Sequence, residues 1–416
     1  MKIKKLVYTF GCKVNQVESE EIEASLNEYD TSAVAIINSC TVTSRADTKC
    51  RQLIRRLINE NPDFKIVLTG CYIERDKKNI EREFPSVFIV SNIDKLRIMD
   101  VLKLDKKNVI KKKARSRTRA FLKIQDGCDA FCAYCIVPYV RSDMRSKNIT
   151  DIKTEVEEIL KSGYKEIVLT GVRVGMFNSV DDNKCEWRLS DLIMWLNKKS
   201  GVERIRISSI EPLEITNDLI EVMRKAGYPN GKLCPHLHIS FQSGDDLILK
   251  KMGRKYNTCD IINLLQRIKK AFPVISVTTD IIAGFPGETQ ESFKNTVKFL
   301  KNIGIRGMHV FPFSARPGTR AYDMKDNVPA QEIKERKEIL RQLDIELRKT
   351  ECKKYLNQVS SILIESRGAD GRLYGMTPQY IKAGVPYKKG LINKIIEVKL
   401  KKVNDAWPVI FEAEYL

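Results

Sequence analysis

The sequence predicts an α/β protein in three successive parts: an N-terminal open α/β sheet, a central partial (β/α)6 barrel and a small all-β barrel at the C-terminus. Three observations predict it. Roughly the first hundred residues alternate short apolar strands with helical stretches, as an open parallel sheet does. From Ala120 the chain repeats strand–helix units. The last stretch, from about residue 351, changes to the two-residue alternation of β-strands, broken by glycines.

Composition bounds the rest. A chain of 416 residues holds two or three domains with full cores. Its 43% hydrophobic and 30% charged residues suit a soluble globular protein. No apolar run reaches the roughly 18–20 residues that cross a bilayer. The opening Met1-Lys-Ile-Lys-Lys-Leu-Val-Tyr carries basic residues without an apolar core. A cytoplasmic protein with no membrane partner is expected. Eleven cysteines in a chain of this size do not make a disulfide scaffold, so they are metal ligands, reactive groups or small hydrophobes. The net charge of +20, from 73 basic and 53 acidic residues, suits a polyanionic partner or a generally basic surface.

Taken in order, residues 1–105 offer strands at Lys4–Phe10, Ala33–Asn38, Lys65–Thr69 and Val87–Val90, and helices at Gln16–Asn27, Ser44–Asn59 and Lys77–Phe84. Cys12, Cys40 and Cys71 each fall just beyond a strand. Ligands of open α/β sheets gather at the carboxyl ends of strands, so three cysteines there point to one metal centre. Residues 106–119 form a basic linker, either a solvated connector or an RNA-touching segment. Residues 120–350 carry strands at Phe121–Gln125, Glu166–Thr170, Arg204–Ser208, Leu237–Phe241, Val277–Ile282 and Gly307–Phe311. Helices at Asp151–Ser162, Leu189–Lys199, Asn217–Lys225, Asn257–Ala271 and Thr289–Ile303 fill the gaps, and a long charged helix runs from Ala330 to about Tyr355. Residues 351–416 supply strands at Val359–Glu365, Gly371–Met376, Tyr380–Ala383, Ile395–Val403 and Ala406–Leu416, a small barrel of a kind that often binds oligonucleotides.

The loop after the first central strand reads Gly127-Cys128-Asp129-Ala130-Phe131-Cys132-Ala133-Tyr134-Cys135. Three thiolates at that spacing can hold three irons of a [4Fe–4S] cluster and leave the fourth iron open for chemistry. Strand ends are where barrel active sites lie. The competing reading is a non-catalytic RNA-binding protein with structural zinc, but structural zinc takes four protein ligands and each group here has three.

The three-cysteine loop, with an aromatic residue before its last cysteine, resembles the radical S-adenosylmethionine (SAM) enzymes. The resemblance extends to the radical-SAM methylthiotransferases over nearly the whole chain. It rests on Thr9-Phe-Gly-Cys-Lys-Val-Asn-Gln16, Asn38-Ser-Cys-Thr-Val-Thr43, Thr69-Gly-Cys71 and Phe121-Leu-Lys-Ile-Gln-Asp-Gly-Cys128. Ser209-Ile-Glu-Pro212, His238-Ile-Ser-Phe-Gln-Ser-Gly244, Asp280-Ile-Ile-Ala-Gly-Phe-Pro-Gly-Glu-Thr289 and His309-Val-Phe-Pro-Phe-Ser314 complete it. The form at Lys13, Val14 and Gln16 resembles the branch acting on threonylcarbamoyladenosine (t6A) next to the tRNA anticodon. The branches acting on isopentenyladenosine or on a ribosomal protein usually differ there.

The resemblance implies a radical-SAM barrel, a C-terminal TRAM-like domain that holds RNA, and two [4Fe–4S] clusters. The cluster at Cys128, Cys132 and Cys135 would split SAM to a 5′-deoxyadenosyl radical, and the one at Cys12, Cys40 and Cys71 would carry the sulfur. The product would be a methylthio group on C2 of the adenine ring, a carbon that side-chain acids and bases cannot activate. Tyr134 would lie against the SAM adenine. Thr170, Gly171, Glu211, Gln242, Asp280 and Gly284 would line the rest of the SAM site. The implied partners are tRNA bearing t6A, an electron donor such as flavodoxin or ferredoxin, and an unidentified sulfur donor.

Other residues keep two readings. Lys13 and Asn15 touch the substrate base or start a helix, Asn being a common N-cap. Arg141 and Arg145 contact phosphate or form internal ion pairs. Cys50, Cys185, Cys234, Cys259 and Cys352 lack ligand spacing and read as small hydrophobes. His236 and His238 share one strand face and suit packing or substrate contact better than zinc.

Overall fold

The computed structural model describes residues 7–26, 33–103, 118–404 and 408–416. Lys4–Leu6 of the first expected strand, nearly all of the basic linker and Ala406 lie outside the described residues. The chain divides into two compact units. The first comprises Met1–Ala114, Asp126–Arg145 and Ser314–Asp323; the second comprises Arg115–Gln125, Ser146–Phe313 and Met324–Leu416.

The first unit is built on a four-stranded parallel sheet, β1 (Val7–Thr9), β2 (Val34–Ser39), β3 (Lys65–Gly70) and β4 (Phe88–Ile89), paired in that order. Helices α1 (Lys13–Leu26), α2 (Ser44–Glu60) and α3 (Cys71–Glu83) follow the first three strands. Successive strand residues face opposite sides. Ala35, Ile37 and Leu68 therefore pack with α2 and α3, while Val34, Ile36 and Val67 pack with Ile22 and Leu26 of α1. Both faces are covered, as a parallel sheet requires. The helix predicted over Lys77–Phe84 is present, and a further turn from Cys71 precedes it, the two joined across a kink at Asp76 (φ −132°, ψ 27°). The missing turn was hard to read because Gly70 precedes it in a left-handed conformation (φ 102°).

The second unit opens with six strands: β5 (Arg119–Lys123), β6 (Glu166–Thr170), β7 (Arg204–Ile207), β8 (His236–His238), β9 (Ser276–Ala283) and β10 (Gly307–Pro312). The first three form one parallel sheet and the last three another. Parallel bridges Ile205–Leu233 and Ile210–Ile239 stitch the two together. The result is the expected six-strand partial barrel, with one large core between strands and flanking helices. A hairpin of Asn178–Val180 and Glu186–Arg188 was not anticipated, since its strands are short and polar.

The helix Ala330–Lys353 leads to a closed five-stranded barrel, β11 (Val359–Arg367), β12 (Leu373–Met376), β13 (Lys382–Val385), β14 (Ile395–Val403) and β15 (Phe411–Tyr415). Its order is β11-β12-β13-β15-β14, and β14 closes back on β11. Closure removes free sheet edges. No described helix is long and apolar enough to cross a membrane.

Two cysteine trios and a histidine–carboxylate line

In the first unit, Cys12, Cys40 and Cys71 stand beyond the carboxyl ends of three adjacent strands. Two glycines allow the approach. Gly11 (φ 96°) lies so near Cys40 that a Cβ there would sit 2.7 Å from its Sγ, and a Cβ on Gly70 would sit 2.3 Å from the Ser39 carbonyl. Burial pushes the Cys40 thiol up to about 12, with Cys71 and Cys12 adding to the effect. Cys12, by contrast, is exposed.

The second trio lies in the same unit. Its loop is braced from several sides. Cys128 N–H donates to the Arg141 carbonyl (3.1 Å) and Cys135 N–H to the Cys132 carbonyl (3.0 Å). Phe131 takes a left-handed conformation (φ 43°). The segment Ser314–Asp323 supports the loop through Ala321 N–H to the Ala133 carbonyl (2.7 Å) and Arg320 to the Phe131 carbonyl (2.8 Å). Tyr134 is half-buried between the two last cysteines.

Among the described residues, the group of three whose donor atoms all fall within 4.8 Å of one another is His238, Asp280 and His309. Each trio supplies three soft thiols, one fewer than a structural zinc takes, and thiols are the usual ligands of iron–sulfur clusters.

Of the residues expected near SAM in the second unit, Thr170, Gly171 and Gly284 fall at strand ends, Glu211 and Gln242 lie a few residues beyond theirs, and Asp280 sits inside β9 rather than at its end. Thr170 closes β6 and Gly171 follows it. Thr170 uses its hydroxyl on the Val168 carbonyl (3.1 Å). Glu211 pairs with Arg254, and burial pushes its carboxyl up against that cation's pull. Gln242 is left-handed (φ 73°) and pinned by its N–H to the Asp280 carbonyl (2.9 Å) and its carbonyl to Ile282 N–H (3.0 Å). Gly284 (φ 78°) lies against Ile333, 2.3 Å from where its Cβ would be. Asp280 meets His238 Nε2 at 3.0 Å and His309 Nδ1 at 3.3 Å. Burial would raise its carboxyl, but these two imidazoles hold it well below the usual range.

The chain's three histidines form one line. The Thr278 hydroxyl bridges His236 Nε2 and His238 Nδ1, each at 3.0 Å, and His238 stacks on His309 with ring centres 5.1 Å apart. His309, with its side chain 57% exposed, escaped the reading by residue pattern. The available signal was that it is the remaining histidine, on the strand beside Asp280.

Two expected substrate contacts are buried inside the protein. Asn15 is 0% exposed, and its amide donates to the Phe10 and Ser39 carbonyls at 2.8 and 2.9 Å. Arg141 is buried among Glu18, Asp126, Asn15 and Cys71 rather than turned to solvent. Arg145 is exposed and pairs with Asp143 at 3.3 Å. Lys13, half-buried, begins α1. Of the five remaining cysteines, Cys50, Cys234 and Cys352 are buried as expected, whereas Cys185 and Cys259 are exposed.

A curled sheet of six parallel strands and, in the sequence, a loop of three closely spaced cysteines define a radical-SAM fold. The radical SAM superfamily model matches residues 122–300, and an uncharacterised family, UPF0004, matches residues 4–91. A radical SAM methyltransferase, TsrM, from Kitasatospora setae shares that fold with a TM-score of 0.54 at 12% identity, over 70% of this chain and 66% of that one. A threonylcarbamoyladenosine tRNA methylthiotransferase, MtaB, of Bacillus subtilis is 37% identical over 95% of this chain and 93% of its own length. The protein of the same name from Thermotoga maritima is 34% identical over 90% of each chain. A tRNA-2-methylthio-N(6)-dimethylallyladenosine synthase of Clostridium tetani is 32% identical over 95% and 94%. The chain belongs to the radical-SAM methylthiotransferases. Enzymes of this family use SAM and [4Fe–4S] clusters, with a second cluster beside the one that binds SAM.

Proposed function

We propose that this protein methylthiolates C2 of t6A in tRNA, at the adenosine next to the anticodon. The observation that carries this reading is the presence of both cysteine trios in one compact unit. The names of the relatives at 34–37% identity support the t6A substrate.

Cys128, Cys132 and Cys135 would hold the SAM-binding cluster, and Cys12, Cys40 and Cys71 the second. When bound, the clusters supply the electron and the sulfur chemistry that no side chain provides. The chain's own residues place the reactants. By the family resemblance, Tyr134 would rest on the SAM adenine, and Thr170, Gly171, Gln242 and Gly284 would meet other groups of SAM. Asp280, kept ionised by two imidazoles, would accept hydrogen bonds from SAM hydroxyl or amino groups. Glu211 is held in place by Arg254. Lys13 and Arg145 would face RNA, with the small barrel β11–β15 as a second RNA-holding surface. A flavodoxin or ferredoxin would deliver the electrons, and the setting is the cytoplasm.

The Clostridium tetani relative favours a second reading, isopentenyladenosine as substrate. A paired assay decides. Reconstituted protein is given SAM and reductant without oxygen, with tRNA carrying either nucleoside, and the nucleosides are analysed by mass spectrometry. The methylthio product is expected from t6A; product from isopentenyladenosine alone overturns the assignment.

A further inference from the structure

Arg141 joins the two cysteine trios through a single buried guanidinium. Its Nε–H donates to Cys71 Sγ at 3.3 Å. One terminal nitrogen donates to Glu18 at 2.8 Å and to both Asp126 oxygens at 2.8 and 2.9 Å. The other donates to Asn15 Oδ1 at 2.9 Å and to Glu18 Oε2 at 2.8 Å. Arginine has five N–H donors in a fixed fork, and every one has a partner here.

Asp126 stands two residues before Cys128 and accepts the Gly127 N–H at 2.9 Å. The Arg141 carbonyl takes the Cys128 N–H. One residue therefore grips the root of one cysteine loop by main chain and side chain, and reaches a ligand sulfur of the other trio. The charges balance without the sulfur: Arg141 and the buried Lys95 face Glu18 and Asp126, with Lys95 2.5 Å from Glu18. Burial works against the charge on Arg141, but Cys71, Glu18 and Asp126 reverse that and hold it protonated. The Nε–H toward Cys71 is thus an addition to a satisfied ion network. A donor on a ligand sulfur stabilises the more negative, reduced form of an iron–sulfur cluster and raises its potential.

We propose that Arg141 is a positioning residue that sets the reduction potential of the cluster at Cys12, Cys40 and Cys71 through its hydrogen bond to Cys71 and fixes that cluster against the Cys128 loop. The proposal rests on the assignment of the second cluster to those cysteines. A lysine at this position keeps the charge for Glu18 and Asp126, yet its single ammonium cannot also reproduce the fork's reach to sulfur.

The test uses the full chain with Cys128, Cys132 and Cys135 replaced by alanine, so that the second cluster alone gives the signal. Iron content and a redox titration followed by electron paramagnetic resonance are the readouts. Arg141→Lys is expected to keep about four irons and to raise the oxidised-to-reduced ratio at a fixed potential at least tenfold, about 59 mV for one electron. A ratio within threefold of the parent, with iron retained, overturns the proposal. If Arg141→Lys loses iron, the charge-matched double variant Arg141→Met with Glu18→Gln is titrated. Loss of iron there too, or an unshifted potential, reduces Arg141 to a scaffold and overturns the proposal. Cys71→Ala in the same background separates the two claims. If it keeps the parent's iron and potential, the cluster assignment itself fails.

Discussion

Buried arginines recur in two regions, and their partners differ. In the first unit Arg141 spends its donors on side chains: two carboxylates, an amide and a cysteine sulfur. At the base of the six-strand barrel, Arg204, Arg206 and Arg306 spend theirs mainly on backbone carbonyls of the small C-terminal barrel. Arg204 reaches Met376 and Ser361 at 2.9 and 3.0 Å, Arg206 reaches Pro378 at 3.0 Å, and Arg306 reaches Tyr380 at 2.6 Å. Glu166, fully buried, balances Arg206 at 2.7 Å and Arg204 at 3.6 Å. Burial would raise its carboxyl, but Arg206 and its neighbours hold it below the usual range. Tyr380 stacks on His236 and lies under Arg206 and Arg119. Backbone carbonyls are present whatever the sequence, so the base network locks an architecture. The partners of Arg141 are side chains, which particular positions of the sequence must supply.

The sharpest way to break that contrast is Glu166→Leu. It leaves the base arginines without their carboxylate, and losing one partner of a buried ion pair costs about 3–5 kcal/mol. Urea unfolding should show that loss, while iron per folded chain stays at the parent value. An iron loss in proportion would mean that the base network also supports the clusters.

Next in size is the pH dependence of loading. In the iron-free protein the raised thiol of buried Cys40 favours its protonated form. Its contribution to the iron-free fold is complete below the ordinary value of 9.0 and is lost as pH rises toward about 12. Cluster binding needs thiolates and so releases protons. This thiol alone should weaken loading by up to about tenfold for each unit that pH falls. Competition with an iron chelator between about pH 7 and 8.5 measures it, and a flat profile would refute a dehydrated thiol at that site.

The smallest effect is expected at Arg145, whose exposed pair with Asp143 should contribute less than about 1 kcal/mol. Arg145→Ala should leave stability unchanged and lower the salt dependence of tRNA binding by about one unit of slope. An unchanged slope removes Arg145 from the RNA-facing surface.

Much of this was legible in the chain. Short apolar runs and helical stretches alternate, so the parallel sheets and their order followed from periodicity, and the cysteines after β1, β2 and β3 marked the sheet's carboxyl edge. Motifs identified the three-cysteine loop. Asn15 and Arg141 were harder. A polar residue beside a cysteine reads equally as a substrate contact or as internal packing until burial is known, and burial depends on Glu18, Asp126 and Ser39 arriving from distant segments. His309 was obscured in the same way, its partner Asp280 being supplied by strand register.

The sequence by itself determined most element types, the two cysteine trios and the family, because cysteine spacing and hydrophobic period are local properties. Only the tertiary structure decided which cations turn inward. Charge has no meaning for function until the surrounding dielectric and partners are fixed, and those come from segments up to 126 residues apart, as for Arg141 and Asn15.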